Sequence, residues 1–128
     1  MAVDTSALVS IVLGETDAER FAAALRSSRA MLSAVSLVEA SIVVEARQGP
    51  DASRDLTAVV EHAVEQIVPV DANYATVALG AWRRFGKGRH PAALNFGDCF
   101  AYAVAQWNSV PLLYKGNDFA QTDVASAV

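Results

Sequence analysis

Cysteine is almost absent from this sequence of 128 residues; Cys99 stands alone. That excludes an intrachain disulfide and removes any demand for an oxidising compartment. Just inside an apolar helical stretch, Cys99 reads as a core residue rather than a nucleophile. Histidine is nearly as scarce. His62 and His90 are too few and too separated to complete a zinc site with one cysteine. Glycine is missing where a phosphate-binding loop would need it, because Asp4-Thr5-Ser6-Ala7 follows the first apolar run. There is no nucleophile-elbow motif, no internal repeat and no low-complexity segment. No apolar run reaches the roughly 18 residues that span a bilayer. No signal-peptide pattern opens the chain. A soluble, cytoplasmic protein without membrane association is expected.

Charged residues make up only 19% of the chain, against 53% hydrophobic. Such a composition excludes disorder and exceeds the apolar content of an ordinary domain. The excess is available to line an interface. Length predicts a single domain over residues 1–128 with a real core. The net charge of −4 by itself argues against nucleic-acid binding. Its distribution does not: Arg83, Arg84, Lys87 and Arg89 are four of the ten Lys and Arg residues, and His90 adjoins them. A basic loop on an acidic domain suits a phosphate-bearing substrate. These four residues, Arg83, Arg84, Lys87 and Arg89, are candidates for gripping such a substrate's phosphates, with a solvated helix end as the plain alternative.

Short apolar runs alternate with helical patterns. Strands are predicted at residues 1–5, 30–34, 67–70 and 111–114, with a marginal fifth in the tail, 124–128. Helices are predicted from Ala7 to Leu13 with Ser6 as cap, and from Thr16 to about Ser28. Others run from Ser36 to Ala46, from Asp51 to Gln66, from Ala72 to Phe85 with Asp71 as cap, and from Asn95 through Trp107. Gly14 and Gly49-Pro50 are breakers, and Gly86 to Pro91 is the clearest loop. Pro69 marks the third strand as an edge or a strand end. The alternation predicts an α/β fold: a short, mostly parallel central sheet of four to five strands, flanked by helices on both faces. Trp82 and Trp107 are expected to be packing residues.

Four acids fall where strands end or helices begin. Asp4 lies inside an apolar N-terminus, where a carboxylate needs a partner. Ser36 and Glu39 match a Ser-x-x-Glu capping box, so Glu39 has a structural explanation as well. Asp98 lies three residues after Asn95, a favourable place at a helix N-terminus. Asp118 sits in a turn-prone loop beside Asn117 and near Asp123, and it comes soonest after the fourth strand. Brought together, four carboxylates repel one another, and Mg²⁺ or Mn²⁺ would relieve that repulsion with oxygen ligands. Two rival readings stay open at this point: a non-catalytic acidic α/β binding module, and a metal-dependent phosphatase.

Several stretches resemble the PIN-domain family, and more closely the VapC toxins of type II toxin–antitoxin pairs. They are Val3-Asp4-Thr5-Ser6-Ala7-Leu8 with Gly14-Glu15, Ser36-Leu37-Val38-Glu39-Ala40, Leu94-Asn95-Phe96-Gly97-Asp98-Cys99-Phe100-Ala101-Tyr102-Ala103, and Leu112-Leu113-Tyr114-Lys115-Gly116-Asn117-Asp118-Phe119. The resemblance covers essentially the whole chain and implies a PIN-like fold. It also implies a magnesium-dependent endoribonuclease with Asp4, Glu39, Asp98 and Asp118 as catalytic and metal-binding residues. Many relatives carry Thr-x-Asp-x-Asp-Phe after the last core strand; here Gly116 replaces the earlier Asp. A homodimer and a cognate VapB-type antitoxin are implied as partners, beside the RNA substrate.

Overall fold

A computed structural model describes residues 1–128. Its sheet holds four parallel strands: β1 (Ala2–Val3), β2 (Met31–Ser33), β3 (Gln66–Val68) and β4 (Leu112–Leu113). Their order is β3-β2-β1-β4, so β3 is an edge strand, as Pro69 suggests. Six helices flank the sheet: α1 (Thr5–Leu13), α2 (Ala18–Ser27), α3 (Ala34–Gln48), α4 (Pro50–Ala63), α5 (Ala72–Phe85) and α6 (Phe96–Asn108). None is long and apolar enough to cross a membrane.

Adjacent strand residues point to opposite faces, and this divides the core. Ala2, Val68 and Leu112 pack on one side with Ala81, Tyr102 and their neighbours from α5 and α6. Val3, Leu32 and Leu113 pack on the other with Leu8, Phe21, Val44 and Leu56 from α1 to α4. The parallel α/β sandwich expected from the alternation of elements is therefore present. Gly14 closes α1 in the left-handed region at φ 66°, and its N–H donates to the carbonyl of Ile11.

Several boundaries differ from the sequence reading, each for a local reason. The strands are two or three residues long, and α1 and α3 begin within two residues of the ends of β1 and β2. Asp4, not Ser6, caps α1; its carboxylate accepts from the Ser6 N–H. Ser33, not Ser36, caps α3 by accepting from the Val35 N–H at 3.2 Å. The Ser36–Glu39 capping box consequently does not form, and Glu39 falls in the second turn of α3. Pro50 occupies the first turn of α4, where its missing N–H is harmless; the helix then ends at Ala63 rather than Gln66. The tail makes a single parallel bridge, Leu112 to Ser126, rather than a fifth strand. Trp82 and Trp107 are 39% and 52% exposed, so neither is a core residue.

The C-terminal segment is fastened by a polar network. Tyr102 donates from its hydroxyl to Asp123 at 2.6 Å, and Arg84 and Gln106 donate to the same carboxylate at 3.2 and 3.3 Å. Phe119 anchors the segment from the core side, packed against Tyr114. Tyr102→Phe is expected to cost about 1 kcal/mol, the usual net worth of one hydrogen bond. Urea unfolding measures that loss. Amide exchange should quicken at Leu112 and Ala127, whose N–H groups tie tail to sheet. Unchanged exchange at both would show that the tail is held by packing alone.

Candidate active site

In open parallel sheets, ligands bind beyond the carboxyl ends of the strands, where the strand order reverses. Here the chain steps outward from β1 to β2 and β3, then returns to β4 on the other side of β1. The reversal lies between β1 and β4. Asp4 follows β1 directly, and Lys115 comes soon after β4.

A cleft of about 270 Å³ opens at this point. Asp4, Glu39 and Asp98 line it, together with Ser6, Glu15, Asn95, Arg47 and Lys115. Asp118 does not line the cleft, yet its charge acts on Asp98. Three of the four acids expected from sequence thus share one cavity, and the fourth is an electrostatic neighbour. Asp123, the competing candidate for the fourth position, is held by Tyr102, Arg84 and Gln106.

Asp4 is 3% exposed. Ser6 donates to its Oδ2 twice, from the backbone N–H at 3.0 Å and from the hydroxyl at 2.5 Å. Ser6 Oγ in turn accepts from the Lys115 N–H at 2.9 Å. Thr5 donates to the carbonyl of Ser36 at 3.2 Å and ties the start of α1 to α3. This leaves Asp4 Oδ1 buried without a partner. Burial pushes the Asp4 carboxyl up from 3.8 to about 6, against the downward pull of the Ser6 bonds.

Asp98 occupies the first turn of α6 in a full capping box with Asn95. The Asn95 side chain accepts from the Asp98 N–H at 2.8 Å, and Asp98 Oδ2 accepts from the Asn95 N–H at 3.0 Å. Burial raises the Asp98 carboxyl to about 7; Asp4, Glu39 and Asp118 push in the same direction. Glu39 rests against Gly97, where any Cβ would collide with its carboxylate. In the present side-chain positions no three acidic, histidine or cysteine groups are gathered into a ready-made ion cage. The donor set nevertheless fits a hard cation: oxygen only, with one buried carboxylate oxygen unpartnered.

The basic cluster is divided. Arg84 is engaged with Asp123 and lies over the Phe85 ring. Arg89 stacks over Trp82 at 4.2 Å. Lys87 lines a separate, mostly apolar cavity with Trp82, Phe96 and Cys99. Arg83 has no ion-pair partner. Burial pushes the Cys99 thiol up to about 11, which removes it as a nucleophile. The sequence reading missed Arg47, Lys115 and Glu15. Arg47 had a visible signal: Glu39, Val43 and Arg47 recur every four residues along one face of α3.

Residues 1–125 match the PIN domain family. Ribonuclease VapC30 of Mycobacterium tuberculosis is 45% identical over 127 residues, spanning 98% of this chain and 97% of its own. Ribonuclease VapC of Mycolicibacterium smegmatis is 46% identical over 127 residues, 98% of each chain. Among solved structures, M. tuberculosis VapC20, described as a Sarcin-Ricin loop cleaving toxin, superposes with a TM-score of 0.78 at 20% identity. It covers 97% of this chain and 95% of its own. FitAcB from Neisseria gonorrhoeae gives 0.69 at 23% identity, covering 98% and 94%; both share the fold. The parallel sheet with its acidic cleft is that of a PIN domain, and the chain belongs to the PIN-domain family, among the VapC ribonucleases.

Two outcomes follow from this geometry. In EDTA, stability should fall as pH rises from about 4 to about 8. The folded chain keeps protons on Asp4 to about pH 6 and on Asp98 to about pH 7. The unfolded chain, with ordinary carboxylates near 3.8, has already released them. Thermal melts across this range check the slope, which Asp98→Asn should flatten; a rising slope would contradict the burial of these acids. Gly97→Ala should keep the fold, because the obstructing atoms end a flexible side chain. It should displace Glu39 and weaken Mg²⁺ binding roughly tenfold or more, the scale of disturbing a ligand's support. Calorimetric titration reads this directly.

Proposed function

We propose that the chain is a divalent-cation-dependent endoribonuclease that hydrolyses single-stranded or structured RNA. It acts as the growth-inhibiting, translation-blocking toxin of a toxin–antitoxin pair in the cytoplasm. The observation that carries this reading is Asp4: a buried carboxylate with one free oxygen, in a cleft shared with Glu39 and Asp98. Asp4, Asp98 and Glu39, with Asp118 at the margin, would hold Mg²⁺, with Mn²⁺ as a substitute. Such an ion, when bound, activates water and offsets charge at the phosphorus.

The chain's own residues prepare that chemistry. Ser6 fixes one oxygen of Asp4 and leaves the other free. The Asn95 N–H holds Asp98 in one orientation. Glu39, released from capping, keeps its carboxylate available against Gly97. With water as nucleophile, a P–O bond forms to water as the bond to the 3′ oxygen breaks. The products carry a 5′ phosphate and a 3′ hydroxyl. Arg83, Lys87 and Arg89 are outer candidates for the RNA backbone; Arg84 is engaged by Asp123.

Partners fit two apolar surfaces. A groove lined by Ile11, Leu25, Val59 and neighbours from α1, α2 and α4 supports docking of a VapB-type antitoxin segment. The exposed Val38, Ile42 and Phe96 support a homodimer contact.

Purified protein should cut mixed single-stranded RNA with Mg²⁺ or Mn²⁺ and not with EDTA. Asp98→Asn should lower the rate at least about 100-fold, the scale of losing one catalytic group. End-labelling should find 5′ phosphates. Cyclic phosphate ends, or equal cutting by the variant, would overturn the scheme.

A further inference from the structure

Ten Lys and Arg residues oppose 14 Asp and Glu residues, and six of the ten are in ion pairs. Two cations line the acidic cleft itself, Arg47 and Lys115. Arg47 has no ion-pair partner, although its cleft holds four carboxylates, Asp4, Glu15, Glu39 and Asp98. It lies on the same face of α3 as Glu39, eight residues on, about 12 Å along the helix axis. Lys115 follows β4, and its Nζ meets only Glu15 Oε1, at 3.4 Å. Both side chains of this pair are about one-third exposed, so the pair is exchangeable at little cost.

The topology sets these two cations apart. Strands β2 and β4 lie on opposite sides of β1. The helix leaving β2 and the loop leaving β4 therefore approach Asp4 from opposite sides. The Lys115 backbone is fixed through Ser6, the residue that orients Asp4. Glu15 is fixed as well: its N–H donates to the Ser10 carbonyl at 2.9 Å, across the left-handed turn at Gly14. A cation on each flank of an acidic centre is what a polyanion needs in order to cross that centre. The acids repel the strand, and charges of opposite sign on both sides overcome the repulsion.

We propose that Arg47 and Lys115 are the inner phosphate grip of the cleft, holding RNA phosphates on the two sides of the cut bond, and that Glu15 holds Lys115 until RNA displaces it. The proposal deepens the ribonuclease reading and rests on it. The grip on the cleft walls lies inside the outer candidates at the end of α5 and in the loop after it, where Arg84 is engaged and Arg89 is stacked.

The test uses the purified chain and a fluorescein-labelled single-stranded RNA at several KCl concentrations with Mg²⁺. Arg47→Gln and Lys115→Gln should each raise KM roughly tenfold at low salt, the scale of one charged hydrogen bond, while kcat changes little. Each should also reduce the slope of log affinity against log salt by about 0.7, the single-strand value per phosphate neutralised. Glu15→Gln should lower KM in the wild-type background and have no effect in Lys115→Gln. KM and salt slope unchanged in both cation variants would overturn the grip. A Glu15→Gln gain that persists without Lys115 would overturn the holding role. Polarisation binding to the same variants in an Asp98→Asn background separates the two readings. Cation-dependent binding without any cutting by wild type would leave the grip standing and sink the nuclease; cutting with cation-independent binding would do the reverse.

Discussion

Burial of one carboxylate governs this structure. Asp4 ends the central part of the sheet and begins α1, and the chain leaves it almost no exposed surface. A buried carboxylate is tolerated only when its oxygens are satisfied or its proton is retained. Ser6 satisfies one oxygen and, through its own hydroxyl, pins the loop that leaves β4. Thr5 pins the third helix from the next position. Three consecutive residues thereby set the geometry of three walls. The remaining oxygen has no partner, and a cation would satisfy it without adding a proton.

That same constraint explains why the cleft is both acidic and flanked by cations. Carboxylates collected at strand ends raise one another's proton affinity. A phosphate strand approaching them meets repulsion at the moment it must come closest. A divalent cation held by the acids would relieve the repulsion locally, over the Debye length of roughly 8 Å at physiological salt. Phosphates further along the strand lie beyond that reach, and their partners must be side chains. An unpaired guanidinium on one wall and an exchangeable ammonium on the other are suited to this, in a chain whose overall charge is negative.

The fold was largely legible because its cues are local. Alternating apolar runs, Gly14, Gly49-Pro50, Asp71 and Asn95 mark element ends through backbone chemistry that neighbours cannot easily override. Ser6 and Ser36 were misread because Ser33 and Asp4 compete for the same caps, and strand length decides between them. A three-residue strand puts the helix start earlier than a five-residue one. Lys115 was not singled out because nothing in its local sequence distinguishes it from a solvated charge, and the spacing that places Arg47 on the Glu39 face of α3 does not say what that face meets. Only the crossing order of the strands, a long-range property, brings them to opposite flanks of Asp4. The resemblance carried the acids and assigned no role to either cation.

The structural and the chemical readings of these acids are not rivals. Asp4 caps α1 and Asp98 completes a capping box on α6. A helix N-terminus offers free N–H groups and a positive partial charge, which orient a carboxylate and favour its ionised form. Those are also the requirements for holding a cation. Capping is therefore the means by which the fold aims the site, and the two roles fail together when the side chain is cut back to Ala. Asn keeps an oxygen for the helix N–H groups and removes the negative charge. Only that substitution separates what these residues do for the fold from what the proposed activity asks of them, since it leaves the aim and deletes the charge.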